Sequence, residues 1–287
     1  CNLMCKHCYF ESNEKNYSEL DTEQCIQVVL KAHEAGVLNI HLSGGEPLFR
    51  KDIEKIIHQI DKHDFGLSIF TNGTLIPEKM NELKEYEITW MVSLDGLEKE
   101  HDSLRGKGTF RKTLEGIELL KKYDKQISVH TTISTLNYRN IVNFIDYVMK
   151  LGVGNLDVNY TLPYGRALKN INLVLPIDQY SNTLSRIREY YKEMSYPIAT
   201  IDVSNPLQPK IIHITKNGFT KATIDVWRCN AGNTRIEIYP DGSVYTCPFL
   251  AEPKFSLGNI LTDTVEDIWR SEGRKHFLEY VEDSSSF

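Results

Sequence analysis

The sequence lacks any apolar run approaching the ~18 residues that a membrane-spanning helix needs, and no charged-then-apolar leader precedes its first cysteine motif. It also lacks a basic excess. Its 33 Lys and Arg stand against 39 Asp and Glu, a formal net charge of −6, whereas a surface that neutralises phosphates normally shows surplus positive charge. Cysteine is absent between Cys25 and Cys229 and again after Cys247, so the thiols are not spread as a disulfide framework would spread them. These absences predict a soluble, cytoplasmic protein with neither a membrane nor a nucleic acid as partner.

Six cysteines are present, at 1, 5, 8, 25, 229 and 247, three of them within eight residues. Such crowding favours metal or cluster binding in a compartment that keeps thiols reduced. The 287 residues, 41% of them hydrophobic, suffice for one large α/β domain and a smaller unit.

Apolar periodicity divides the chain into alternating helices and strands. Asp21 and Gln24 form a capping-box pair ahead of a helix that runs to about Gly36, with Ile26, Val29 and Leu30 as its apolar face. Strands are expected at Val37–Ser43, Leu67–Thr71, Ile88–Leu94, Ile127–Ile133 and Leu156–Tyr160. Helices are expected around Ile53–Ile60, after Pro77, around Leu114–Leu120, around Ile141–Val148 and at Ile177–Met194. This alternation implies parallel pairing with right-handed crossovers, as in a doubly wound sheet or a barrel, and ligands at the carboxyl ends of the strands. A leading helix without its strand predicts a missing strand before Cys1, and both termini read as cut. Past residue 195 the alternation is expected to stop, among Pro197, Pro206 and Pro209.

Cys1, Cys5 and Cys8 have the spacing C-x3-C-x2-C. Three neighbouring thiolates can bind three irons of a [4Fe–4S] cluster and leave the fourth open to an outside ligand. A zinc site completed by His7, or a structural cluster completed by a distant Cys, is the alternative. The motif resembles the signature of the radical S-adenosylmethionine (radical SAM) enzymes. That resemblance implies a SAM-binding cluster on the three cysteines, His7 beside the adenine, and hydrogen-atom abstraction by a radical made from SAM. It implies an α/β fold, a partial (β/α)6 TIM-like barrel over residues 1–195.

Further motifs stand at expected strand ends. Ser43-Gly44-Gly45-Glu46-Pro47 allows close backbone approach and is also a plausible tight turn. It resembles the family's GGE motif, which implies cofactor binding by Gly44, Gly45 and Glu46. Asn72 before Gly73 suits a turn and, by the resemblance, faces the cofactor. Ser93-Leu94-Asp95-Gly96, then His101-Asp102 and Arg105-Gly106, resembles the subgroup with auxiliary clusters, where Ser93 would touch SAM and Arg105 would pair with its carboxylate. A surface salt bridge is the plainer role for Arg105. Thr131 is a candidate for the ribose or for simple packing. Arg166, in Pro163-Tyr164-Gly165-Arg166-Ala167, is a candidate for the floor of a substrate cavity or for a loop salt bridge.

Residues 227–287 read as a smaller β-hairpin-plus-helix unit after a connecting segment, 196–226. Alternation on both sides of Pro240-Asp241-Gly242 predicts a hairpin that brings Cys229 and Cys247 together. The region resembles the SPASM or twitch extension, which implies that Cys229 and Cys247 begin the ligation of an auxiliary iron–sulfur cluster. In sulfatase-maturing relatives an Asp base follows the second cysteine, where this chain has Pro248. The resemblance thus implies an enzyme that oxidises or crosslinks a peptide, as in maturation of ribosomally made peptides, fed electrons by a flavodoxin or ferredoxin. A catalyst acting on a porphyrin or quinone precursor is the alternative enzyme. A non-catalytic iron–sulfur or zinc module is the alternative of another class. The catalytic base is not identified by any motif.

Overall fold

Residues 1–14, 18–193, 200–205, 210–215, 226–228 and 230–284 are described by a computed structural model. Helix α1 (Thr22–Glu34) starts where the capping box places it: Gln24 N donates to Asp21 Oδ1 at 2.8 Å and Asp21 N to Gln24 Oε1 at 3.0 Å. Then come strand β1 (Asn39–Leu42), helix α2 (Ile53–Lys62), strand β2 (Gly66–Thr71), helix α3 (Ile76–Leu83) and strand β3 (Thr89–Ser93). Two helices follow in succession, α4 (Glu98–Arg105) and α5 (Thr109–Lys122), ahead of β4 (Gln126–Ile133). Helix α6 (Ile141–Lys150), strand β5 (Asn155–Tyr160), the short α7 (Arg166–Lys169) and the long α8 (Ile177–Glu193) complete the α/β alternation.

Strand pairing follows chain order without a reversal, and β2 through β5 are parallel. A doubly wound sheet would reverse its strand order at a switch point. The sequential order is that of a barrel wall, and the parallel pairing sends the carboxyl ends of β2 through β5 the same way. The strand series does not end at Tyr160, as periodicity implied. Strand β6 (Thr200–Asn205) pairs parallel with β5, and β7 (Lys210–Thr215) and β8 (Val226–Arg228) extend the sheet antiparallel to eight strands. β6 reads Thr-Ile-Asp-Val-Ser-Asn, whose polar residues weaken its strand signal, so pairing with β5 rather than local propensity defines it. Apolar periodicity does not announce helix α4 either, because its run Glu-Lys-Glu-His-Asp-Ser-Leu-Arg is almost wholly polar.

In β3, β4 and β5 one face is closed. Trp90, Val92, Val129, Leu156 and Val158 are at most 1% exposed, under helices whose apolar stripes include Ile117, Leu120, Ile141, Phe144, Ile145 and Val148. The opposite face carries Met91, Ser93, His130, Thr132, Asp157 and Asn159, all half-buried. It is polar and borders accessible space.

The chain packs as two compact units built from interleaved stretches: Cys1–Asn13, His41–Lys51 and Leu67–Arg228 in one, Glu14–Ile40, Asp52–Gly66 and Cys229–Phe287 in the other. In the second unit, β9 (Glu237–Ile238), β10 (Ser243–Tyr245) and β11 (Gly258–Asn259) form a small antiparallel sheet, followed by α9 (Val265–Arg270) and α10 (Glu272–Ser284). The predicted hairpin is present: Gly242 N donates to Tyr239 O and Tyr239 N to Ser243 O, at 2.9 and 2.8 Å. Val244, Leu257, Ile260 and Ile268 make this unit's core, with Val28 of α1 against it. Of the expected α1 face, Val29 is buried whereas Leu30 is 37% exposed. Among the described residues no helix is long and apolar enough to cross a membrane.

Candidate active site

The cysteine triplet lies on a loop that precedes any helix or strand, so other groups must hold it in place. Loops at the carboxyl ends of successive strands do so. After β1, Gly45 packs against Cys1 so closely that a Cβ there would stand 2.9 Å from the Cys1 Cβ. After β2, Asn72 Nδ2 donates to Asn2 Oδ1 at 2.8 Å, and Asn2 Nδ2 donates to Thr74 Oγ1 at 2.9 Å. After β5, the amide of Arg166 donates to Cys8 O at 2.9 Å, its Nε to Cys5 O at 2.8 Å and its Nη1 to Ser12 O at 2.7 Å. Arg166 is 6% exposed. It is therefore a clamp on the backbone of the cysteine loop. Gly165 beside it has φ +55°, and a Cβ would meet Cys8 O at 2.6 Å.

The turn after β3 supplies the charges. Asp95 is wholly buried, yet Arg105 Nε approaches its Oδ2 at 2.5 Å, His7 Nε2 the same oxygen at 3.2 Å, and Thr132 N donates to Oδ1 at 2.8 Å. Burial alone would raise the Asp95 pKa, but Arg105 and His7 together hold its carboxyl well below the usual carboxylate range. Arg105 Nη1 also reaches Cys5 Sγ at 4.0 Å, and Lys6 N donates to Leu104 O at 2.9 Å. Burial raises the Cys5 thiol pKa, while Arg105 and, more weakly, Arg166 lower it. His101 is an internal part of the scaffold: Asp95 N donates to its Nδ1 at 3.1 Å, and burial drives its pKa down to about 4. Asp102 caps α5, accepting from Gly108 N at 2.6 Å and Phe110 N at 2.9 Å.

Glu46 is 5% exposed and accepts from Thr71 Oγ1 and Asn72 N, each at 2.8 Å, and from Leu48 N at 3.1 Å. Burial raises its pKa against these bonds. Gly44, with φ +110°, leaves room beside its backbone. Ser93 ends β3, half-buried on the open sheet face. Thr131 lies on the closed face with Val129 and Ile133, and its Oγ1 has no partner among the described residues. The structure thus gathers Cys1, Cys5, Cys8, His7, Gly45, Asn72 and Arg105 around one loop and sets Thr131 on the face turned away from Ser93. Cys247 is half-buried after β10, Cys25 is half-buried in α1, and Cys229 lies outside the described residues.

These residues fit a cluster better than zinc. Among the described residues no three His, Cys, Asp or Glu side chains converge on one metal ion, and His7 turns its Nε2 to Asp95. A four-iron cube gives each thiolate its own iron and needs no such convergence. The Arg105 and Arg166 guanidiniums suit an anionic group, and His7 Nδ1 is a buried atom without a partner among the described residues. The sequence did not single out Asp95 by itself, although its place between SLDG glycine and serine marked the turn. His130, the cross-strand neighbour of Ser93, and Asp157, the cross-strand neighbour of His130, belong to no motif; polar residues alternating inside an otherwise apolar strand were the available signal.

The radical SAM superfamily model matches residues 1–148, and the model of SPASM, an iron–sulfur cluster-binding domain, matches residues 229–286. The chain is similar to the mycofactocin maturase MftC of Mycolicibacterium smegmatis, 28% identical over 277 residues, which is 94% of this chain and 67% of MftC. It is similar to the antilisterial bacteriocin subtilosin biosynthesis protein AlbA of Bacillus subtilis, 30% identical over 276 residues. That match takes in 94% of this chain but spans only 57% of AlbA. Native anSMEcpe with bound AdoMet and the Kp18Cys peptide shares the fold, with a TM-score of 0.74 and 22% identity over 96% of this chain and 79% of that one. With a family match over more than half its length, and a strand-end architecture of the same kind beneath it, the chain belongs to the radical SAM superfamily and carries a SPASM domain.

Proposed function

We propose that this protein matures peptides: it removes a hydrogen atom from a bound peptide, which is then oxidised or crosslinked. The reading rests on the cysteine loop, clamped by the carboxyl ends of the strands beside a polar, half-buried sheet face. In this reading Cys1, Cys5 and Cys8 hold a [4Fe–4S] cluster with one iron open to SAM. The bound pair supplies a low-potential electron and an organic radical able to take a hydrogen atom. Gly44, Gly45, Glu46, Asn72 and Ser93 contribute to the SAM pocket, with His7 beside it, whereas Thr131 packs on the closed face. Arg105 favours the Cys5 thiolate while its partner Asp95 keeps it in place.

Residues 1–195 do this work, 196–226 connect, and 227–287 hold an auxiliary cluster through Cys229 and Cys247. A relative that is a maturase, one that serves bacteriocin biosynthesis and a fold neighbour holding a peptide with AdoMet support a peptide as substrate. A flavodoxin- or ferredoxin-type donor supplies the electron, in the cytoplasm, where thiol ligands stay reduced.

The test is anaerobic reconstitution with iron, sulfide, dithionite and SAM, followed by a pool of synthetic peptides deuterated at Cα and Cβ. The expected result is 5′-deoxyadenosine carrying deuterium. No 5′-deoxyadenosine despite a loaded triplet would overturn the enzyme reading in favour of a non-catalytic module. Unlabelled 5′-deoxyadenosine with every peptide would overturn the substrate class and direct attention to a porphyrin or quinone precursor.

A further inference from the structure

His130 lies on the open face of β4, directly cross-strand from Ser93 of β3 on one side and Asp157 of β5 on the other. Its level is therefore the last residue of β3, near the carboxyl edge where barrel enzymes place their chemistry. The imidazole Nε2 is 2.7 Å from Asp157 Oδ2 and 3.1 Å from Met91 Sδ. A carboxylate and a thioether can only accept, so the hydrogen must sit on Nε2. That leaves the lone pair on Nδ1, which has no hydrogen-bond partner among the described residues. Phe70 meets the ring edge-on, with centroids 5.2 Å apart, and limits its tilt. Ser128 Oγ donates to Asp157 Oδ2 at 3.4 Å and so helps to hold the carboxylate.

A pair that served packing alone would satisfy both ring nitrogens and lie under the closed face with Trp90 and Val129. This pair does neither. Its side chains remain 19% and 22% exposed, on the same face as Ser93, Thr132 and Asn159. A carboxylate that fixes the tautomer of an imidazole, with the opposite nitrogen free and reachable, is the arrangement of an oriented general base.

We infer that His130, held by Asp157, accepts a proton from the substrate through Nδ1. The substrate's X–H bond breaks, its electron pair stays on X, and the proton forms an Nδ1–H bond. The Asp157 carboxylate balances the imidazolium charge that results. His130 is the group that touches the substrate; Asp157 is a positioning residue. The inference rests on the peptide-maturase reading, and it fills the place of the Asp base that Pro248 cannot supply.

Two measurements test it. Proton–nitrogen NMR of isotope-labelled histidine, with His130 assigned by difference from H130Q, reads the tautomer without any cofactor. An Nε2–H tautomer in the wild type, weakened in D157N, is expected. An Nδ1–H tautomer, or one indifferent to D157N, overturns the inference whatever the peptide assay returns. In the deuterated-peptide assay, H130Q can still donate to Asp157 but has no basic lone pair. It should keep forming 5′-deoxyadenosine while its peptide product falls roughly a hundredfold or more, and added imidazole should restore part of the product in H130A. Product from H130Q within about twofold of the wild type would also overturn it. Wild-type protein that forms no deuterated 5′-deoxyadenosine condemns the peptide reading instead, a result the histidine spectrum cannot mimic.

Discussion

Asp95 receives Arg105, His7 and the Thr132 amide while wholly buried. Replacing it with Asn strands the Arg105 guanidinium with no other acidic partner among the described residues, which should cost about 3–5 kcal/mol. Chemical denaturation of D95N beside the wild type measures this; a loss under ~1 kcal/mol would mean that Arg105 regains solvent. Acid should act on the same cluster. The Asp95 pKa is lowered in the fold, so its contribution is complete above the unfolded carboxylate pKa and drains away as pH falls below it. His101 is held neutral by burial, its pKa pushed down to about 4. The unfolded chain therefore binds the extra proton first, and stability falls as pH drops from about 6.5, by up to ~3 kcal/mol on reaching 4. Unfolding midpoints between pH 7 and 4 should show this decline in the wild type and a shallower one in H101N. Gly45 makes a narrower claim. A methyl at that position meets Cys1, so G45A should bind less iron on reconstitution while its far-ultraviolet circular dichroism is unchanged.

At the scale of elements, the clearest local signals acted where they stood. The α1 capping box forms as its residues dictate, and D21A should lose about 1 kcal/mol through the unpaired Gln24 amide. Four isoleucines at helical spacing put α2 into a core, with Ile57 and Ile60 at 0% exposure. Other motif residues serve elements rather than chemistry. Asp102 caps α5 from the preceding helix, and Arg166 of α7 ties down the cysteine loop. R166A would leave Cys5 O and Ser12 O without that donor, a penalty of about 1–3 kcal/mol for each carbonyl that stays buried. Hydrogen exchange should quicken at the amides of residues 4–12 and nowhere in β2–β4; uniform protection in R166A would show that the loop holds itself. The elements that periodicity missed, α4 and β6, are those whose own sequences are polar. α4 is held by its partners at the β3 turn and β6 by its ladder with β5.

At the scale of the molecule, the two groups of cysteines belong to different packing units, with Cys1, Cys5 and Cys8 in one and Cys247 in the other. Replacing the triplet with alanine should therefore remove its iron and all 5′-deoxyadenosine formation, yet leave iron bound through residues 227–287. Iron and sulfide analysis with low-temperature electron paramagnetic resonance distinguishes this outcome from loss of all iron, which would make the two sites interdependent. Helices α1 and α2 fall within the second unit although they follow the triplet in sequence. Lys31 of α1 illustrates why: its Nζ donates to the carbonyls of Ile260 at 2.6 Å and Asp263 at 3.0 Å. No local pattern around Lys31 announces a partner more than two hundred residues away.

The amino-acid sequence alone determined the α/β alternation, the cysteine triplet, the strand-end motifs and the hairpin around Pro240-Asp241-Gly242. Each is a short-range property, written in periodicity, spacing or turn chemistry within about twenty residues. Only the tertiary structure decided which charges meet. It gave Arg105 to Asp95, made Arg166 a backbone clamp, turned Thr131 to the closed face and set His130 between Ser93 and Asp157. Those pairings depend on strand register and on which face a side chain takes, and register is fixed by the burial of a whole sheet face rather than by any one strand's residues.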